Sequence, residues 1–361
     1  MNKFHPSWVA AAATALLVAC SGGGEGDQSA RVEYGKMVTF GDSLSDVGSY
    51  NVGVIASMGG GRYSINTGDK VNWTELLATT VGVDALCPAE TGLNSAPELG
   101  GPVATVDHAG CYSYAQGGAR VTNPIGPGNA ALLALGDPSG ALGQLTKPVV
   151  EQIGRHLAAV GGSFAADDLV TVMAGGNDLF MQLAAFEAMV GAGMPVDQAS
   201  EAVVTAMGQA GAELAAYVTT QIVANGATHV VVVNVPDAAN APAFLGSPDT
   251  QALVTAMLTT YNGQLAAGLA ASSDKVLLVD AYTVSQDQAV HPTQYGLSDV
   301  THPACDLEHM PLATSLACTV DTLVAGVTET WQYADTVHPT PYGYKLLAQL
   351  VTAEMSKKGW L

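Results

Sequence analysis

Short apolar runs that predict buried strands alternate along the chain with longer segments of helical periodicity. The strand-like runs cover residues 37–40, 168–174, 229–235 and 275–280, and the run at 229–235 is the richest in β-branched side chains. Helical spacing covers residues 73–81, 144–160, 196–225, 249–269 and 341–355. Strands that alternate with helices form parallel sheets through β-α-β crossovers. We therefore expect a three-layer α/β/α sandwich with a mainly parallel central sheet in a single domain.

Between these elements lie long stretches without clear periodicity. Residues 84–110, 122–140 and 285–330 are predicted as loops, because their apolar positions follow neither a helical nor a strand period. A short aromatic strand is predicted at residues 111–115, where it runs into the pair Gly117-Gly118. We expect the loops to shape whatever pocket the fold carries.

The N-terminus has the features of an export signal. Lys3 and His5 precede an apolar stretch over residues 8–19, which is too short to span a bilayer as a helix. Leu17-Val-Ala-Cys20 then resembles a bacterial lipobox, in which Cys20 is the lipidated first residue of the mature protein. The alternative is an ordinary secretion signal. Residues 1–20 are thus predicted as a signal peptide, residues 21–34 as a flexible Gly/Ser-rich tether, and residues 35–361 as the folded domain.

Composition limits the kinds of molecule that the protein can bind and indicates the cellular compartment in which it functions. The chain has 12 Lys and Arg residues against 32 Asp and Glu, which gives a net charge of −20 and argues against nucleic acid as a partner. Four cysteines follow Cys20, and an even number in an exported chain suggests two disulfides. The simplest pairing is local in sequence, Cys87 with Cys111 and Cys305 with Cys318. No C-x-x-C pair occurs and the histidines lack metal-ligand spacing, so no metal site is predicted.

Three of the predicted strands end in a short polar or glycine-rich block, and a fourth block precedes the last helix. The blocks are Gly41-Asp42-Ser43-Leu44, Gly117-Gly118, Gly175-Gly176-Asn177-Asp178 and Asp335-Thr-Val-His338-Pro339. In an open α/β sheet, ligands bind at the carboxyl ends of the strands. A serine there becomes a nucleophile when a base, an orienting acid and oxyanion donors lie within reach, and the blocks contain candidates for each.

In this order the four blocks resemble the SGNH, or GDSL, family of lipases and esterases, and the resemblance extends from about residue 35 to the C-terminus. It implies the SGNH-hydrolase sandwich, which is flavodoxin-like. It also implies that Ser43 is the nucleophile, that His338 is the general base and then the general acid, and that Asp335 orients His338. The implied oxyanion hole combines the backbone N–H groups of Ser43 and Gly118 with the side-chain amide of Asn177.

Several of these residues have alternative interpretations. A serine after a strand is commonly a helix N-cap, and Asp178 is expected to cap the helix that follows it. Asp42 is interpreted as structural, and Gly117 is the alternative oxyanion donor to Gly118.

The histidine also has rivals. Asp299-Val-Thr-His302-Pro303 repeats the Asp-x-x-His-Pro pattern, and His291-Pro292 is a third His-Pro pair. The family resemblance favours His338, because its block leads directly into the terminal helix. His302 would then lie at the substrate mouth.

We therefore expect a serine ester hydrolase that works through an acyl-enzyme intermediate without a cofactor. Its substrate would be a small-molecule or lipid ester, and it would be held at the bacterial cell envelope by a lipid anchor or else secreted. Phospholipase or acyltransferase activity and carbohydrate O-acetyl esterase activity are alternatives of the same fold. A non-catalytic lipoprotein that binds lipid or glycan is an alternative of another class.

Overall fold

The computed structural model describes residues 32–68 and 71–361. The predicted signal peptide, the lipobox with Cys20 and most of the predicted tether therefore lie outside the described residues. Among the helices that are described, none combines the length and the apolar character needed to cross a membrane.

The described chain alternates strands and helices as the sequence pattern predicts. The strands are β1 (Lys36–Gly41), β2 (Glu90–Leu93), β3 (Val103–Asp107), β4 (Asp168–Met173), β5 (His229–Val233), β6 (Val276–Val279), β7 (Asp299–Pro303) and β8 (Trp331–Tyr333). The helices are α1 (Gly53–Ser57), α2 (Trp73–Val81), α3 (Val149–Ala159), α4 (Gly176–Gly191), α5 (Val196–Tyr217), α6 (Pro248–Leu269), α7 (Ala281–Val290) and α8 (Pro341–Lys358). One π-helical turn, Val218–Val223, extends α5.

The central sheet has the strand order β1-β4-β5-β6, and every pairing within it is parallel. The register sets Val38 beside Val170, Val170 beside Val230, and Val230 beside Val276. Two small sheets, the antiparallel β2–β3 hairpin and the parallel β7–β8 pair, lie in the connecting segments. The predicted fold class is confirmed.

Helices cover both faces of the central sheet, which explains why its strands are apolar throughout. Alternate strand residues such as Val38, Val170 and Val230 pack in one cluster with the apolar sides of α3, α5 and α6. The intervening residues, such as Met37 and Leu169, pack in a second cluster with α2 and α8. Because side chains alternate across a strand, each strand contributes to both layers.

Two predicted elements differ in the structure. The helix predicted over 144–160 begins only at Val149, since Thr146 has a positive φ of 51° and Pro148 occupies the N-cap. The strand predicted at residues 111–115 is reduced to isolated bridges at Ser113, although Thr39 donates to the Tyr112 carbonyl and receives a hydrogen bond from the Tyr114 N–H. This segment therefore runs beside β1 as an irregular edge.

The loops predicted over residues 84–110 and 285–330 contain short elements. The first holds β2 and β3, and the second holds β7, most of α7 and several 3-10 turns. Both predicted disulfides are formed, Cys87 with Cys111 and Cys305 with Cys318. Such bonds persist in oxidising compartments, which indicates an extracellular or periplasmic protein.

Candidate active site

Ser43 lies directly after the edge strand β1, at the carboxyl end of the sheet. Gly41 ends the strand with a φ of 150°, and a Cβ at this position would lie 2.1 Å from the Met173 carbonyl oxygen. Gln152 of α3 binds both backbone groups of Gly41, with its Oε1 2.8 Å from the N–H and its Nε2 2.8 Å from the carbonyl. The backbone that leads into Ser43 is therefore held between the Met173 carbonyl and the Gln152 side chain.

The structure brings Ser43, His338 and Asp335 together. The Ser43 hydroxyl lies 2.8 Å from His338 Nε2, and His338 Nδ1 lies 2.7 Å from Asp335 Oδ2. Because the ring nitrogen that faces an ionised carboxylate must carry a proton, Nε2 is the acceptor available to the serine. The ring also lies against Tyr63, with centroids 4.8 Å apart.

Backbone donors hold the Asp335 carboxylate. Its Oδ1 accepts from the Val337 and His338 N–H groups at 2.9 and 2.7 Å, and its Oδ2 accepts from the Ser315 N–H at 3.1 Å. Burial alone would raise the pKa of Asp335, but the neighbouring His338 and the hydrogen bonds from His338 and Ser315 outweigh burial. They hold this pKa well below its ordinary value, so the carboxyl is ionised at neutral pH.

The two glycines of the second block differ in their hydrogen bonding. The Gly117 N–H donates to Asp46 Oδ2 at 2.9 Å. Within the described residues no acceptor lies on the N–H of Gly118 or on that of Ser43, and both residues line the same cavity. Gly118 has a φ of 76°, and a Cβ there would lie 2.3 Å from the Pro127 carbonyl oxygen. Both the conformation and the space at this position require glycine.

Asn177 lies in the first turn of α4 and lines the cavity. Its Nδ2 donates one hydrogen to the Ala119 carbonyl at 2.9 Å, which fixes the plane of the amide. A side-chain amide nitrogen carries two hydrogens, so the second remains for a ligand. Asp178 is not the helix cap that the sequence suggested, since Gly175 holds the N-cap position.

Three buried polar residues support the site in ways that the sequence did not reveal. Asp46 accepts from the Gly48, Ser49 and Gly117 N–H groups and thereby connects the serine loop to the glycine block. Asp178 binds the Arg120 guanidinium and the Val121 N–H, both at 2.9 Å. Gln152, described above, is the third. The contacts that join these residues to other blocks of the site span sequence separations of 57 to 111, so local pattern carries no signal for these roles.

Asp42 is the N-cap of the 3-10 turn Ser43–Ser45 and accepts from the Leu44 N–H at 3.0 Å. Ser43 is thus not the cap, and the interpretation of Asp42 as a structural residue agrees with this contact. Burial in the apolar site raises the pKa of Asp42 to about 7, and the Leu44 hydrogen bond and the nearby His338 offset only part of that effect.

The rival histidines lie away from the serine. His302 Nδ1 is 2.8 Å from Asp299 Oδ2 and His291 Nδ1 is 2.8 Å from Asp287 Oδ1, so both form Asp–His pairs. Their side chains are 70% and 50% exposed, against 16% for His338. Neither residue lines the cavity that contains Ser43.

A cavity of about 480 Å³ opens at Ser43 and His338. Most of its wall is apolar and comes from the ends of β4 and β5, from α4, α7 and α8, and from several connecting loops. Among the lining side chains are Leu99, Phe180, Val284, Leu312, Leu347 and Leu350. Across residues 32–68 and 71–361, no group of three or more His, Cys, Asp or Glu side chains is arranged to hold a metal ion.

Comparison with known proteins identifies the family of the chain. The family model described as GDSL-like Lipase/Acylhydrolase matches residues 37–351. No curated protein matches the chain in sequence.

Several solved structures are similar over most of the chain at low identity. An α/β hydrolase from the metagenome of Lake Arreo, Spain, has 13% identity and a TM-score of 0.41, covering 91% of this chain and 98% of its own. A catalytic variant of an acetylxylan esterase from Geobacillus stearothermophilus has 13% identity and a TM-score of 0.38, covering 90% and 96%. A lipase/acylhydrolase from Enterococcus faecalis has 12% identity and a TM-score of 0.35, also covering 90% and 96%. On the strength of the family model, which spans nearly the whole described domain, the chain belongs to the GDSL-like lipase/acylhydrolase family of ester hydrolases.

Proposed function

We propose that the protein is a serine hydrolase of carboxylic esters that works through an acyl-enzyme intermediate. The observation that carries this proposal is the continuous hydrogen-bonded chain from Ser43 Oγ through His338 to Asp335, at the wall of an apolar cavity. A serine hydroxyl is a weak nucleophile by itself, and a histidine at 2.8 Å provides the base that it needs.

The reaction follows from this geometry. Ser43 Oγ bonds to the ester carbonyl carbon while its proton passes to His338 Nε2, and the carbonyl electron pair moves onto oxygen. The tetrahedral intermediate then expels the alcohol oxygen, which takes the proton from His338 and leaves the acyl group on Ser43. Water repeats the sequence and releases the carboxylic acid and the free serine. Asp335, held ionised, stabilises the imidazolium that forms in each half.

The oxyanion formed in both halves needs donors that are fixed in advance. The N–H groups of Ser43 and Gly118 and the second Nδ2 hydrogen of Asn177 fit this role, since all three residues line the cavity. Gly117 does not fit, because Asp46 already accepts its N–H.

The cavity wall supports esters with an apolar acyl or alcohol group over an acetylated glycan, because sugars require hydrogen-bonding groups that an apolar wall lacks. Acyl transfer to an alcohol other than water uses the same intermediate and is the second candidate within the class. Phospholipase activity would use the same acyl-enzyme chemistry, on a lipid ester that carries a phosphate headgroup. A lipoprotein that only binds its ligand would not activate Ser43.

Hydrolysis of p-nitrophenyl butyrate and labelling with a fluorophosphonate probe test the proposal. We expect Ser43→Ala and His338→Ala to abolish both turnover and labelling. His302→Ala is the matched control, because His302 has the same Asp-x-x-His-Pro context and a similar carboxylate contact, 2.8 Å against 2.7 Å for His338. Among the described residues, no serine is hydrogen-bonded to the His302 ring. Turnover that survives Ser43→Ala, or that depends on His302 instead of His338, would refute the assignment.

We further propose that a lipid on Cys20 anchors the domain to the cell envelope. The support is the Leu17-Val-Ala-Cys20 sequence and the Gly/Ser-rich segment that follows it. Metabolic labelling with a radioactive fatty acid tests this proposal. We expect the unchanged protein to carry the label and Cys20→Ser to lose it. An unchanged protein without label would indicate an ordinary secretion signal instead.

A further inference from the structure

An exposed apolar surface lies beside the mouth of the cavity that contains Ser43. We call it the rim patch and define it by five exposed apolar residues: Ala131, Leu133, Ala134, Leu135 and Pro138. Leu133 is 45% exposed and Leu135 is 76% exposed, whereas Leu132, which directly precedes Leu133, is buried at 3%. Contiguous exposed apolar residues mark surfaces that bind partners or lipid.

The rim patch is continuous with the cavity wall. Pro127 and Gly128, just before the 3-10 helix Ala130–Leu135, line the cavity, and so do Pro138 and Leu142 in the following 3-10 helix. The two helices are closely packed, because a Cβ on Gly140 would lie only 2.8 Å from the Leu133 backbone nitrogen. The exposed leucines are therefore held at the entrance by the same segments that form it.

Charge restricts what this surface can bind. Three segments that contribute residues to the cavity wall, residues 94–102, 121–146 and 308–328, contain no lysine or arginine. They carry acidic residues instead, among them Glu98 and Asp137, in a chain of net charge −20. Three basic residues that adjoin other wall segments are already paired with carboxylates, Arg62 with Glu75, Arg120 with Asp178 and Lys147 with Glu90. Binding to an anionic lipid surface depends on basic side chains, so the charge pattern favours a surface without net charge.

We propose that the rim patch docks the enzyme on aggregates of uncharged ester lipid, so that single molecules pass from the aggregate into the cavity. This inference rests on the proposed esterase function and specifies its substrate as an assembled, neutral ester. Burial of Leu133 and Leu135 in the lipid supplies the binding energy. The acidic residues of the rim exclude anionic surfaces.

Tributyrin tests the proposal, because one molecule can be offered dissolved and, above its solubility limit, as an emulsion. The test variant is Leu133→Gln with Leu135→Gln. The control is Val196→Gln, since Val196 is 59% exposed but follows the far end of α4, roughly 24 Å of helix from Gly176 at about 1.5 Å per residue. All variants carry Cys20→Ser, so that a lipid anchor cannot mask the effect, and circular dichroism verifies folding.

We expect the double variant to retain its rate on dissolved tributyrin within about twofold and to lose at least about tenfold on the emulsion, given the transfer energy of two partly exposed leucine side chains. The control should change neither rate by more than about twofold. Equal losses on both forms, or no loss on the emulsion, would overturn the proposal.

Flotation with a triolein–phosphatidylcholine emulsion measures docking without turnover, so it separates a failure of docking from a failure of the esterase assignment. We expect the protein to float with this emulsion and the double variant to remain below. Tighter binding to phosphatidylglycerol vesicles would contradict the charge argument. A dimer in sedimentation that the leucine changes disrupt, with flotation unchanged, would show instead that the patch joins two copies of this chain.

Discussion

Asp42→Asn isolates the energetic consequence of placing a buried carboxyl next to the serine. Burial raises the pKa of Asp42 from 3.8 to about 7, so the folded protein holds a proton that the unfolded chain has already released. The contribution of Asp42 to the free energy of unfolding must therefore fall as the pH rises from about 4 to about 7. At about 1.4 kcal/mol per pKa unit, the loss over this window is roughly 4 kcal/mol.

The asparagine variant keeps the Oδ1 acceptor for the Leu44 N–H but has no charge to bury. We expect its stability relative to the unchanged protein to improve by roughly 4 kcal/mol between pH 4 and pH 8, because other titrating groups affect both proteins alike. Urea unfolding with intact disulfides, followed by circular dichroism at several pH values, measures this difference.

The matched control is Asp137→Asn, at an exposed aspartate that caps the Ser139 N–H with the same spacing. It measures how the loss of a capping charge at the surface changes the free energy of unfolding. A stability difference between Asp42→Asn and the unchanged protein that stays constant from pH 4 to pH 8 would refute the reasoning.

Three further changes test the site directly in ester hydrolysis. Asp335→Asn should lower kcat by about 10⁴, the loss known for the equivalent change in a serine protease, because the amide favours the wrong His338 tautomer; an unchanged kcat would contradict its role. Asn177→Ala should lower kcat by about 10²–10³ with KM little changed, as expected for an oxyanion donor; an effect on KM alone would not fit. Gly118→Ala should reduce both kcat and the unfolding midpoint, because its Cβ would meet the Pro127 carbonyl at 2.3 Å; full activity with an unchanged midpoint would contradict the argument that this position requires glycine.

The fold was predictable because its main strands and helices each have a characteristic local pattern of apolar residues. The strands of the central sheet are covered on both faces, so they appear in the sequence as continuous apolar runs. The start of α3 was not predictable in this way. Thr146 takes its unusual conformation while its N–H donates to the Tyr50 hydroxyl and its hydroxyl donates to the Pro124 carbonyl. These contacts belong to the folded chain and leave no periodic signal.

The same distinction applies to the site. The serine, glycine and asparagine blocks were predictable because each lies where an apolar run stops, and parallel strands bring such ends to one edge. The role of Gln152 was not predictable, because a polar residue in an amphipathic helix normally faces solvent. Here the side chain is fully buried and bridges both backbone groups of Gly41. Only the packing of α3 over the end of β1 reveals its position.

The aspartate–histidine pairs show most clearly what local sequence can and cannot specify. Within the part of the chain that the structure describes, four such pairs form, and their histidines are His291, His302, His309 and His338, each with Nδ1 at 2.7 to 2.8 Å from a carboxylate oxygen. A spacing of three or four residues is therefore enough to build the dyad, and the dyad by itself says little about catalysis.

His338 differs from the other three in its surroundings. Its side chain is 16% exposed, whereas those of the other three are 50% to 78% exposed. Its partner Asp335 is buried and held by Ser315, and its second nitrogen faces a serine that is 295 residues away in sequence. Removing the dyad from water strengthens its electrostatic coupling, and the distant serine gives the base a proton to take. The chemistry that we propose thus depends on where the sheet edge places the dyad, and three exposed copies of the same local motif within one chain provide the internal controls.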